Sequence, residues 1–165
     1  MSGLAYYLSP VGELEIQSDR DKIIGTHFLK DSKVTESPTS VIRQCIEELD
    51  EYFFHGRKFF TVELDLRGTL FQQKVWNALL NIPFGKTMSY SELAIKVGDL
   101  KSVRAVGLAN GQNPVPIIVP CHRVIGKDGN LVGYGGGLDK KEWLLQHEGI
   151  MSKQTELFAP SAGKS

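Results

Sequence analysis

The segment Asn113-Pro114-Val115-Pro116-Ile117-Ile118-Val119-Pro120-Cys121-His122-Arg123-Val124 constrains this chain more than any other. Proline fixes φ and biases the residue before it toward extended backbone, so the three prolines are expected to hold the stretch extended up to Cys121. It ends by presenting one thiol beside one imidazole. A thiolate attacks far better than a thiol, so a reactive cysteine needs a base or a cationic neighbour, and His122 is the nearest candidate.

With 165 residues, 41% hydrophobic and 9% aromatic, the chain can bury one ordinary core or two small lobes sharing an interface. No apolar run approaches the roughly 20 residues that a membrane-spanning helix needs. The start, Met1-Ser2-Gly3-Leu4-Ala5, lacks a basic region followed by an apolar stretch, so the protein is expected to stay where it is made, without a membrane partner. Two cysteines are not a disulfide framework, and a thiol that must stay free suits a reducing compartment. The expected location is the cytoplasm, or the nucleus of a eukaryotic cell.

The net charge of zero conceals a split. Residues 1–66 carry 7 Lys and Arg against 12 Asp and Glu, residues 67–127 carry 8 against 2, and residues 128–165 carry 4 against 5. A basic middle third in an otherwise acidic chain is the footprint expected where phosphates are contacted.

The first 30 residues read as an antiparallel meander, with strands at 5–8, 14–16 and 23–29 and a Ser9-Pro10-Val11-Gly12 turn. Ser37-Pro38 is expected to open a helix with Pro at its first position, Val41, Cys45, Leu49 and Phe53 forming the apolar stripe. Cys45 then points into a core, where thiols are inert. The alternation in residues 60–66 predicts a half-buried strand, and the acidic lobe ends near Arg67-Gly68.

Thr69 with Gln72 forms a capping box, followed by a stripe of Phe71, Val75, Trp76, Leu79 and Leu80. Ser89 with Glu92 repeats the device for a short helix over residues 90–97 that stops at Gly98. Another helix starts near Ser102 and ends at Asn110-Gly111, making a helix-turn-helix candidate. Its second helix, with Arg104, Ala105, Gly107 and Ala109, is poor in side chains that read base edges. Small residues allow either close approach to a groove, with Arg104 free to reach among the bases, or tight packing on a neighbouring helix; both remain open. Residues 124–132 carry the Asp-Gly turn of a hairpin, residues 133–137 read as a mobile glycine loop, and Asp139 is expected to cap a last helix closing at His147-Glu148-Gly149. Residues 151–165, polar and small, are expected to be a disordered tail.

Pro120-Cys121-His122-Arg123-Val124, taken with Asn113-Pro114-Val115-Pro116, Ser89-Tyr90, Arg104-Ala105-Val106-Gly107, Tyr134-Gly135-Gly136-Gly137 and Trp143-Leu144-Leu145-Gln146-His147-Glu148-Gly149, resembles the O6-alkylguanine-DNA alkyltransferases, the methylated-DNA–protein-cysteine methyltransferases. The likeness runs from residue 70 to 149 in the family's order. It implies an α+β fold: a ribonuclease-H-like antiparallel sheet with a helix in residues 1–67, and in residues 68–150 a helical lobe with a winged helix-turn-helix-like motif that binds DNA and accepts the alkyl group.

The resemblance also implies function. Each molecule removes one alkyl group from guanine O6, and from thymine O4, in double-stranded DNA after flipping the nucleotide, and keeps it on Cys121. His122 acts as base through a bridging water, Glu148 orients His122, Tyr90 assists the leaving guanine, and Asn113 braces the turn before the thiol. Arg104 fills the gap left in the duplex, with Ser102, Ala105, Gly107 and Arg123 also against DNA. Pro116, Val124, Tyr134, Gly135 and Gly136 line the pocket. No cofactor is implied, and the protein is expected to be a monomer, open to cooperative binding along DNA.

Two rival classes share the residues. A cysteine hydrolase also uses a Cys-His-carboxylate set, but has no need of the basic middle third. Alkyltransferase-like lesion binders have tryptophan where this chain has Cys121. The cysteines and four histidines follow no paired metal-ligand spacing, and the zinc site of some relatives has no matching cysteines here.

Overall fold

A computed structural model describes residues 1–30 and 32–150; the tail expected to be disordered lies outside the described residues. Three antiparallel strands, β1 (Ser2–Ser9), β2 (Gly12–Asp19) and β3 (Lys22–Phe28), form a meander in the order β1-β2-β3. Alternation puts Ala5, Leu14, Ile16 and Ile23 inside, and a register shift between Gln17 and Ser18 bends β2 as it pairs with β3. Helix α1 (Ser40–Phe54) covers that face with Val41, Ile42, Cys45, Leu49, Tyr52 and Phe53. Cys45 is fully buried, as its place in the stripe predicts.

Three expectations for this half need correction. Helix α1 starts at Ser40, beyond Pro38; the N-cap is Thr39, whose hydroxyl pairs with Ser18 at 2.8 Å instead of capping the helix. Residues 60–66 are not a strand. One bridge joins Ile23 to Leu64, and the preceding Thr61 and Val62 give their amides to the buried Glu48 carboxylate, which diverts the backbone from a ladder. Phe71 and Leu80, placed in the next stripe, are exposed, because α2 buries a narrower face made by Val75, Trp76 and Leu79.

The C-terminal half contains α2 (Leu70–Leu79), β4 (Met88–Ser89), α3 (Tyr90–Val97), α4 (Val103–Gly111), β5 (Val124–Ile125) and α5 (Leu138–His147). Both capping boxes form: Thr69 with Gln72 opens α2, and Ser89 with Glu92 opens α3. A 3-10 turn, Leu100–Ser102, joins α3 to α4, giving the helix-turn-helix arrangement. Trp76 donates its indole N–H to the Ala109 carbonyl at 2.8 Å, which anchors the end of α4 on α2. Strand β5 pairs in parallel with β4. The Asp-Gly turn after it exists, with the Gly126 N–H on Asn130 O at 2.8 Å, but no hairpin ladder follows, because β5 takes β4 as its partner. Asp139 lies inside the first turn of α5, and the N-cap is Gly137.

The prolines do not hold an extended chain either. Val119 N–H returns to Val115 O at 2.9 Å, and Pro116 bridges to Val119, so the backbone doubles back through Ile117 at φ 77°. A β-branched residue there costs roughly 1–3 kcal/mol and persists only where its surroundings over-determine it. Those surroundings are visible: Ile117 is fully buried, and Thr26 of β3 holds Pro114 O through its amide and Pro116 O through its hydroxyl. The N-terminal sheet thus grips the turn that delivers Cys121.

Among the described residues, no helix is long and apolar enough to cross a membrane, and no cluster of three or more His, Cys, Asp or Glu could hold a metal ion.

Candidate active site

Cys121 opens a 3-10 turn, Cys121–Arg123, at the end of the doubled-back segment. Asn113 braces that segment from inside: its Nδ2 donates to Val119 O at 2.8 Å and its Oδ1 accepts from Val115 N–H at 2.9 Å. The thiol is buried, which pushes its pKa up against the opposing pull of Asn113 and of the Lys141 charge. At neutral pH it is therefore a thiol that needs a base.

His122 is fully buried and places Nε2 at 2.8 Å from Glu148 Oε2. Burial lowers its pKa, while the hydrogen bond and charge of Glu148 pull it up. The ring is thus neutral, and with Nε2–H donating to the carboxylate its lone pair lies on Nδ1, which has no hydrogen-bond partner among the described residues. That is the tautomer a proton acceptor requires.

Glu148 follows α5 and is 5% exposed. Burial alone would raise its pKa, but the hydrogen bond from His122 and the hydrogen bonds and charge of Arg123 hold it well below the usual carboxylate range. With His122 neutral, the counter-ion is Arg123, which donates Nε to Oε1 at 2.8 Å and Nη2 to Oε2 at 3.0 Å. Arg123 therefore corrects one sequence expectation. Its guanidinium is buried in this ion pair, with Nη1 on Ile82 O at 2.6 Å, and is not presented to DNA.

Tyr90, first residue of α3, donates its hydroxyl to Val132 O at 3.0 Å, and its side chain also engages Asn110, whose Nδ2 reaches the Cys121 carbonyl at 3.4 Å. Burial raises the phenol pKa to about 12, so it is a proton donor at neutral pH. Gly107 sits over this ring; a Cβ there would lie 3.8 Å from Tyr90 Cδ1. Arg104 and Ala105 are exposed on α4, and Ser102 turns its hydroxyl onto Asp99 O at 2.7 Å.

A cavity of about 300 Å³ opens onto the thiol, lined by Cys121, Asn113, Pro116, Tyr134, Gly135 and Gly136, together with Phe28 of β3. Tyr134 stacks edge-on against Phe28 at 6.1 Å, and its buried hydroxyl has no partner among the described residues. A Cβ on Gly136 would come 2.7 Å from the Phe28 ring, so a side chain there would force that ring to move. Val124 is a second correction: it is fully buried in β5 opposite Met88 and does not line this cavity.

Three contributors were not singled out in the sequence. Lys141, fully buried in α5, donates to Val132 O at 2.8 Å and Gly133 O at 3.2 Å, and burial lowers its pKa to about 8. Tyr52 of α1 donates its hydroxyl to Glu148 Oε2 at 2.6 Å, and Phe28 walls the cavity. In the sequence Tyr52 and Phe28 look like core aromatics, and Lys141 like half of a solvated lysine pair; no local signal marks partners so distant.

Comparison with known proteins covers both halves. Residues 4–66 match the model of the 6-O-methylguanine DNA methyltransferase ribonuclease-like domain, and residues 70–150 that of the same family's DNA binding domain. A methylated-DNA–protein-cysteine methyltransferase of Methanosarcina acetivorans is 46% identical over 151 residues, covering 88% of this chain and 97% of the relative. One from Haemophilus influenzae is 42% identical, covering 94% and 92%. A crystal structure of the Mycobacterium tuberculosis O6-methylguanine methyltransferase superposes with TM-score 0.82 at 41% identity, covering 96% of this chain and 99% of that one. The M. tuberculosis OGT in complex with DNA gives TM-score 0.81 at 44% identity, covering 88% and 92%.

Proposed function

The chain belongs to the 6-O-methylguanine DNA methyltransferase family, and from that membership we propose that it repairs DNA directly, moving an alkyl group from O6 of guanine, and from O4 of thymine, irreversibly onto its own Cys121. The observation that carries this reading is the Cys121, His122, Glu148 series beneath a cavity whose wall includes Tyr134 and Gly135.

His122 takes the thiol proton on Nδ1 through a bridging water; sulfur attacks the alkyl carbon as the carbon–O6 bond breaks, and the electron pair stays on the purine. Tyr90 donates the proton that makes neutral guanine and is reprotonated from solvent. The products are a thioether and an unmodified base, and because the carbon–sulfur bond of a thioether is stable to water, each molecule acts once.

The reacting carbon lies within the base stack, so the nucleotide must rotate out, at a few kcal/mol of unstacking. The exposed Arg104 on a helix of small side chains suits this: it can occupy the vacated space without reading sequence, as repair anywhere requires. In this reading residues 1–67 form a supporting domain, residues 68–150 the DNA-binding and acceptor domain, and the protein works as a cytoplasmic or nuclear monomer on double-stranded DNA.

The test is to incubate the protein with a duplex carrying O6-methylguanine and measure intact and peptide masses. One added methyl on the peptide holding Cys121, absent in Cys121→Ser, is the expected result. Unchanged mass, methylation at Cys45, or turnover of a small ester overturns it.

A further inference from the structure

Tyr52 stands 96 residues before Glu148 in the chain, on the helix that covers the N-terminal sheet, yet its hydroxyl reaches Glu148 Oε2 at 2.6 Å. The same oxygen accepts His122 Nε2 at 2.8 Å and Arg123 Nη2 at 3.0 Å. A carboxylate oxygen offers about two lone-pair sites, so three donors compete there. Charge drawn toward Tyr52 and Arg123 is not available to stabilise an imidazolium at His122.

Given the alkyl-transfer reading above, we propose that Tyr52 is a positioning residue for the reaction: its hydroxyl diverts Glu148 from His122, so that the contact between the two lobes sets how readily His122 takes the Cys121 proton. The exchange needs no further reagent; the thiol loses a proton, the imidazole gains it, and thiolate and imidazolium result.

The other groups facing this pair are few. His122 is also faced by the Arg123 and Lys141 charges, and Glu148 by the Gly85 N–H at 3.4 Å and by the Tyr134 phenol. His147, next in the chain, turns Nε2 to the Tyr52 carbonyl at 2.8 Å and so ties the same residue from its backbone side. Of these, Tyr52 alone brings a side-chain donor to Glu148 from the N-terminal half.

The experiment is Tyr52→Phe, which removes one oxygen and keeps the ring contacts with Phe53, Phe60, Phe84 and His147. His122 is titrated by nitrogen NMR in the resting protein, and single-turnover transfer is followed against pH. The His122 pKa is expected to rise by roughly half a unit, which raises the thiolate–imidazolium population and the transfer plateau about threefold. Replacing Tyr52 with a difluorinated tyrosine, whose more acidic hydroxyl donates more strongly, is expected to move both quantities the other way, and it carries the test if Tyr52→Phe folds poorly. An unchanged His122 pKa across the series, or a lower plateau at an unchanged midpoint, overturns the proposal. If the parent transfers no alkyl group, the functional reading has failed, and the NMR titration still decides the role of the Tyr52 hydroxyl.

Discussion

Arg123 closes on Glu148 through two nitrogens, Nε on Oε1 at 2.8 Å and Nη2 on Oε2 at 3.0 Å, beneath a surface that hides both side chains. Removing one partner of a buried pair strands the other charge and costs about 3–5 kcal/mol. Arg123→Met is therefore expected to lower the melting temperature by about 2–4 °C for each kcal/mol lost. Arg123→Lys recovers only part of it, since a lysine cannot supply the forked geometry. Because the guanidinium is buried, the salt dependence of binding to undamaged DNA should stay as in the parent. A melting curve superimposable on the parent's, with a shallower salt slope, would show that Arg123 faces DNA after all.

Arg104 is the opposite case, an exposed arginine on α4 with the small side chain of Ala105 beside it. Arg104→Ala is expected to lower the ratio of transfer from duplex O6-methylguanine to transfer from the free base O6-benzylguanine by roughly tenfold, equivalent to about 1.4 kcal/mol of the unstacking cost. The free base needs no extrusion, so the ratio isolates that step. Equal loss on both substrates would place the role of Arg104 elsewhere.

The legible parts of this chain were those encoded locally. The capping boxes at Thr69 and Ser89 need only a spacing of three residues, and both form; the meander follows from alternation within each strand. What failed depended on partners distant in the chain. Residues 60–66 alternate like a strand, yet Glu48 takes the Thr61 and Val62 amides; the prolines suggest extension, yet Thr26 pulls residues 114 and 116 into a turn. The resemblance places Arg123 against DNA because nothing nearby in sequence announces Glu148, and nothing local marks Tyr52 for the same reason. Patterning reports which face is buried, and it is silent on which buried polar groups find each other.

Asn113 spans the turn before Cys121, bonding both Val115 and Val119. Asn113→Ala leaves the amide of the fully buried Val115 without its partner, at about 1–3 kcal/mol where water cannot reach it, while the Val119 carbonyl keeps the Cys121 N–H at 2.8 Å. It also removes the amide that favours the Cys121 thiolate. Transfer should therefore slow more than the stability loss accounts for, and the acid limb of the rate profile should move to higher pH. Measuring single-turnover rates well below the melting temperature separates the two effects; a rate equal to the parent's there would leave Asn113 a purely structural role.

The buried relay also fixes the sign of acid sensitivity. His122 has a folded pKa below its ordinary 6.5, chiefly through burial, so as pH falls past 6.5 the unfolded chain takes a proton that the folded one refuses. Its contribution to stability is complete above that point and is lost as pH drops. Glu148 acts in the next window. Its folded pKa lies below 4.5, held there by His122 and Arg123 against the effect of burial, so its contribution is complete above 4.5 and is lost as pH falls toward the folded value. Both groups therefore tilt stability the same way, in succession. Urea midpoints measured from pH 8 to 3 should fall in two stages, the first missing in His122→Gln and the second in Glu148→Gln. A parent midpoint that rises as pH falls from 8 toward 6 would show that His122 is already protonated in the folded protein, and so could not accept the proton from Cys121.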